Sequence, residues 1–188
     1  MRDVIIRNGT IVDGTGGEPY VGDIAIEGDR IVEVGAVSGK AKREIDATGL
    51  IVTPGWVDIH THYDGQATWD SVLAPSSWHG VTTAIMGNCG VGFAPVRPGQ
   101  ENFLIELMEG VEDIPGSALA EGIDWKWETF PEYLDALESK KRTMDIGVHV
   151  PHASVRAYVL GDRCNTDYVP NADEIEEMAQ IVREGVEA

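Results

Sequence analysis

Between residues 4 and 52 apolar side chains come in short runs separated by turn-forming residues. Val4-Ile5-Ile6 and Thr10-Ile11-Val12 flank Asn8-Gly9, and Ile24 and Ile26 alternate with polar neighbours. Glu27-Gly28-Asp29 then interrupts the pattern before Ile31, Val32 and Val34, with Ile45 and Leu50-Ile51-Val52 completing it. A period of two with turn chemistry between the runs specifies half-buried strands. Asn-Gly suits the positive φ angles of a tight hairpin, so residues 8–9 are expected to turn the chain within a small β-meander over 1–54. After Pro54 the texture changes to strands at Trp56–His60, Val81–Met86 and Ile146–Val150, separated by long segments with helical periodicity. That alternation is the mark of parallel β/α construction over 55–188.

Two helices are expected between the second and third strands, near 102–109 and over 130–140. The latter is introduced by a Thr129/Glu132 capping box, with Phe130, Leu134 and Leu137 on one face and Lys140-Lys141-Arg142 at its negative end. A last helix begins at Asn171 and Glu174 and carries a stripe of Ile175, Met178, Ala179, Val182 and Val186 that needs a sheet to cover. Residues 55–188 are too few for a closed eight-stranded β/α barrel, which takes about 250 residues. They make an open sheet or the front part of a longer protein.

A formal charge of −18, from 32 acidic against 14 basic side chains, repels phosphate backbones and anionic lipid, so nucleic acid and membrane surfaces are excluded as natural partners. No apolar run reaches the roughly 20 residues that span a bilayer. Met1-Arg2-Asp3 leads into a strand rather than a signal peptide, and a cytoplasmic location is expected. Two cysteines make no disulfide framework, and Cys164, in a polar loop, is expected to be structural.

The segment Pro54-Gly55-Trp56-Val57-Asp58-Ile59-His60-Thr61-His62-Tyr63-Asp64 ends an apolar strand with two histidines two residues apart, and alternate strand residues share a face. Asp58 and Asp64 join that face if the strand stays regular. An isolated His-x-His also occurs in hydrogen-bonded cores, and a lone thiol often packs as a small hydrophobe. Here His60, His62, Cys89 and His152 all fall at carboxyl ends of predicted parallel strands, where catalytic groups collect. Imidazole with thiolate favours zinc over the oxygen-seeking magnesium and calcium, and zinc suits hydrolysis of an amide or related bond. Asp58 is a candidate to orient a ligand imidazole or simply to bond backbone; the role of Asp64 stays open.

His152 and Arg156 are candidates to meet a substrate carboxylate, although capping or surface pairing explains Arg156 equally. His79 is expected to cap or pack, and His149 to be structural within its strand. Trp69, Trp78, Trp125 and Trp127 either wall a pocket for an acyl chain or pack in the core.

Pro54-Gly55, Asp58, His60 and His62 after a β-rich start resemble the amidohydrolase superfamily. The closer similarity is to its N-acyl-D-amino acid deacylase (D-aminoacylase) branch. It runs through His60–Asp64, Pro75-Ser76-Ser77-Trp78-His79-Gly80-Val81-Thr82-Thr83, Met86–Pro95 with Asn88-Cys89-Gly90 at its centre, Leu107–Pro115 and Val150-Pro151-His152. The resemblance implies an α/β fold: a small β-sandwich-like domain over 1–54, then the first half of a (β/α)8 TIM-type barrel over 55–188. It further implies zinc held by His60, His62 and Cys89, and a small-molecule N-acyl amino acid as substrate. Two more histidine ligands and an aspartate general base would lie on later strands, beyond residue 188, so this portion alone is expected to be inactive. A complementary chain or a carboxyl-terminal half would then be its partner. Two other readings are a hydantoinase-like cyclic amidohydrolase, against which Asn88-Cys89-Gly90 speaks, and a non-enzymatic chain that binds metal or pairs with a second polypeptide.

Overall fold

Arg2–Ile11 forms one ten-residue strand, β1, straight through the predicted turn. Asn8 sits at φ 59° and donates its N–H to the Asp23 carboxylate at 2.9 Å, while the pairing register shifts between Ile6 and Gly9. The left-handed tolerance of Asn-Gly is therefore spent on a β-bulge instead of a hairpin. Gly9 is required for a second reason: a Cβ there would lie 2.4 Å from Val52 Cγ2. The computed structural model describes all 188 residues, in two compact units, Met1–Gly55 and Trp56–Ala188.

In the first unit β2 (Tyr20–Glu27) runs antiparallel to β1 and to β3 (Arg30–Gly35), whereas β4 (Ala41–Asp46) and β5 (Ile51–Val52) return parallel to β1. The sheet order is β3-β2-β1-β4, with β5 on β1 beyond the end of β4. The expected meander is thus corrected to a mixed sheet. Its core is small: Ile5, Ala25 and Val37.

The second unit is built on three parallel strands, β6 (Trp56–Asp58), β7 (Val81–Met86) and β8 (Asp145–Val148), in that order. Five helices accompany them: α1 (Glu101–Glu112), α2 (Gly116–Gly122), α3 (Phe130–Glu138), α4 (His152–Leu160) and α5 (Ala172–Glu187). Both predicted capping boxes are present, Thr129 with Glu132 on α3 and Asn171 with Glu174 on α5. α3 stops at Glu138, so Lys140-Lys141-Arg142 follow the helix instead of closing its last turn. α2 and α4 carry no strong periodic signal and were not expected.

The core centres on Met86, Phe93, Leu104, Met108, Leu119 and Tyr133. Trp127 lies within it, donating Nε1–H to the Phe93 carbonyl at 2.7 Å, and Trp125 stands edge-on to Phe93. These two tryptophans are packing residues, while Trp69 and Trp78 are exposed. No residue of α5 is buried, and Ile175, Val182 and Val186 of its stripe face solvent. No helix is long and apolar enough to cross a membrane.

Candidate metal centre

β6 ends two residues short of His60, so the histidines stand on the bend that follows the strand and not on its face. The Asp58 carboxylate accepts the His60 N–H at 3.2 Å and turns the chain there, which assigns Asp58 to the backbone rather than to an imidazole. Thr61 then ties the bend to the end of β7, its N–H and its hydroxyl both donating to the Ile85 carbonyl at 2.9 Å.

The cysteine arrives from the end of β7 on a turn with three left-handed residues, Gly87 (φ 78°), Cys89 (φ 54°) and Gly90 (φ 76°). Gly87 has no alternative, because a Cβ would lie 2.3 Å from the His149 carbonyl oxygen at the end of β8. Between them, Asn88 donates Nδ2–H to the carbonyls of Thr61 (3.1 Å) and Ile85 (2.8 Å). One side-chain amide thus clamps the cysteine turn onto the histidine bend.

The outcome is a cluster in which the donor atoms of His60, His62 and Cys89 lie within 4.8 Å of one another, with Cys89 Sγ 3.3 Å from His60 Nε2. Donors on a tetrahedral zinc ion stand about 3.3–3.8 Å apart, given bond lengths of about 2.0–2.3 Å. Small side-chain adjustments close the set around one cation. His60 and Cys89 are exposed and His62 is half-buried.

Two polar groups beside the cluster lack partners. His62 Nδ1 is buried without a hydrogen bond, although the same ring's Nε2 lies 3.2 Å from Glu112 Oε1. Burial depresses the His62 pKa and adjacent His60 adds to this, while Glu112 opposes it. Asp64, the residue whose role stayed open, is 1% exposed, and neither carboxylate oxygen has a partner. Burial pushes its pKa up to about 7 against the pull of nearby backbone amides, and Glu112 adds to the rise. Buried polar atoms are nearly always hydrogen-bonded, so the His62 ring lacks one expected partner within the protein, and two imidazoles with a thiol are a donor set of the kind zinc takes. The residues fit a zinc ion.

The other candidates are placed elsewhere. His79 is exposed at the end of a short 3₁₀ turn, and His149 lies just past β8, exposed, not within the strand. His152 opens α4, exposed and beside the cysteine turn, where a Cβ on Gly90 would meet His152 Cβ at 3.6 Å. Arg156 gives Nε to the Cys164 carbonyl (3.2 Å) and Nη2 to that of Tyr168 (2.8 Å), stapling the loop after α4. Cys164 is half-buried, remote from the cluster in role, with a thiol pKa raised by burial. Glu112 is the neighbour that sequence reading passed over.

A profile of the amidohydrolase family matches residues 43–188. D-aminoacylase of Alcaligenes xylosoxydans xylosoxydans is 31% identical over 187 residues, which are 98% of this chain and 35% of that protein. A crystal structure of D-aminoacylase aligns with 100% of this chain and 37% of its own at 31% identity, with a TM-score of 0.81. N-acyl-D-glutamate deacylase from Bordetella bronchiseptica, solved with zinc and a phosphonate mimic of the tetrahedral intermediate, aligns with 100% of this chain and 36% of its own at 28% identity and a TM-score of 0.77. The chain spans about a third of the length of these relatives.

Proposed function

The chain belongs to the amidohydrolase family, and from that premise we propose that it forms the amino-terminal metal-binding part of a zinc-dependent hydrolase of N-acyl-D-amino acids. The observation that carries the reading is the meeting of His60, His62 and Cys89 from two separate strand ends within 4.8 Å. Two imidazoles and a thiolate favour zinc, and they supply part of its coordination shell. When bound, zinc supplies Lewis acidity toward water and toward an amide carbonyl.

The chain's own residues then divide the work of presentation. His60 and Cys89 are exposed and hold the site where a small molecule reaches it; Asn88 and Thr61 keep the two segments in register. His152, beside the cysteine turn at the start of α4, is assigned to the carboxylate end of the substrate. Arg156 braces that helix against the following loop. In this reading the three parallel strands are the first part of a (β/α)8 barrel, and the general base and further ligands come from outside the 188 residues. The chain by itself is then inactive.

Co-expression with the carboxyl-terminal two thirds of a D-aminoacylase tests the proposal. The pair is expected to hydrolyse N-acetyl-D-amino acids and spare their L-enantiomers, with neither part active alone. A pair that assembles and holds zinc yet cleaves neither enantiomer would contradict the substrate reading.

A further inference from the structure

Asp64 carries the only buried carboxyl group in the chain, and it stands where the two metal-binding segments meet. It lies two residues past His62, and its backbone carbonyl is fixed by the buried Tyr133 hydroxyl, which donates to it at 2.7 Å. Its carboxylate reaches both ends of the cysteine segment. At Gly92, three residues past Cys89, a Cβ would lie 3.2 Å from Asp64 Oδ1. At Gly87, two residues before Cys89, the backbone amide acts on the same group: burial raises the Asp64 pKa and this amide draws it down. Neither oxygen closes a regular hydrogen bond within the protein. A desolvated carboxylate with so little return destabilises a fold, and an apolar group in place of buried charge is often neutral or better. Where a local rule is broken without local compensation, function is the first place to look.

We infer that Asp64 is a positioning residue of the metal centre: fixed behind the histidine bend, its carboxylate faces the backbone on both sides of Cys89 and holds the thiol toward the imidazoles. Cys89 is exposed and left-handed, so its own side chain does not anchor the turn. Asn88 clamps the middle of the segment to the bend, and Ser154 Oγ donates to the Gly92 carbonyl at 2.8 Å from the far side. Asp64 supplies the contact that spans Gly87 and Gly92 together. It stays outside the cluster formed by His60, His62 and Cys89, so it acts through backbone and not as a ligand. Outer groups of this kind govern how well ligands are aimed at a metal. The inference rests on the zinc reading above and adds a carboxylate to the parts that decide where the sulfur stands.

The test compares the 188-residue chain as wild type, Asp64→Leu and Asp64→Asn, each checked for unchanged helicity. Cobalt(II), which takes the donors zinc takes, gives a near-ultraviolet sulfur-to-metal band only when the thiolate binds it. Asp64→Leu fills the buried space without acceptors, and it is expected to lose the band and to bind zinc about 10–100-fold more weakly in chelator competition. Asp64→Asn, whose amide oxygen still accepts, is expected to keep the band. A full-strength band in folded Asp64→Leu, or its loss in folded Asp64→Asn, overturns the inference, and the second arm decides alone if Asp64→Leu does not fold. NMR of the metal-free chain gives an independent reading: the Gly87 amide proton is expected to move upfield in Asp64→Leu and to hold in Asp64→Asn, and a signal unmoved in both overturns the inference. Should wild type show no sulfur band, the functional reading fails, while the Gly87 signal still decides what Asp64 does to the cysteine turn.

Discussion

Cys89 stands at φ 54°, a backbone conformation that costs a residue with a Cβ about 1–3 kcal/mol, and an exposed thiol recovers little of this by packing. Strain of that kind persists where a side chain is needed. Cys89→Gly is therefore expected to leave the unfolding free energy of the metal-free chain unchanged or raise it, by up to about 1 kcal/mol. The same substitution should abolish tight zinc binding in chelator competition. A destabilised Cys89→Gly chain that still binds zinc tightly would show the thiol to be structural. His60, His62 and Cys89 were legible in the sequence because each closes a strand pattern. Asp64 and Glu112 were not, because burial and a contact to a helix fifty residues away are tertiary facts. Asp58 was legible as a site neighbour, but its short carboxylate found a backbone N–H first.

Strands and helices carry the site only as far as their ends are placed. Gly87 joins the end of β7 to the end of β8 with no room for a methyl group and a φ of 78°. Gly87→Ala is expected to destabilise the second unit by about 2 kcal/mol or more and to weaken zinc binding with it, both measurable in one urea titration with and without metal. The Thr129 capping box is a milder device: Thr129→Ala should cost about 1 kcal/mol and leave zinc affinity alone. Loss of zinc binding in that variant would contradict a purely local role for the cap. Both capping boxes and the three parallel strands could be read from local chemistry. The bulge at Asn8-Gly9 could not, since a residue pair that tolerates positive φ serves a bulge as well as a hairpin, and only pairing with Asp23 and Val52 decides between them. α4 escaped because it follows β8 almost at once and is apolar on more than one side.

At the scale of the whole chain, exposed apolar groups gather in the first unit (among them Val21, Ile31, Val32, Val34, Leu50 and Ile51) and, in the second, on β6 and the bend after it (Trp56, Val57, Ile59) and along α5 (Ile175, Val182, Val186). Exposed apolar surface of this kind favours association. The 188-residue chain is expected to enhance the fluorescence of a hydrophobic dye and to elute in gel filtration above its 20.4 kDa mass. A dye-silent monomer would contradict this. The charge of −18 keeps such association soluble and draws cations toward the surface, but it selects no particular ion. Selection is left to the sulfur and the two imidazoles. X-ray absorption of the zinc-loaded chain tests that claim most directly: the account predicts one sulfur at about 2.3 Å and two imidazole nitrogens at about 2.0–2.1 Å, with the sulfur shell lost in Cys89→Gly. A first shell of nitrogen and oxygen alone in the wild-type chain would contradict it.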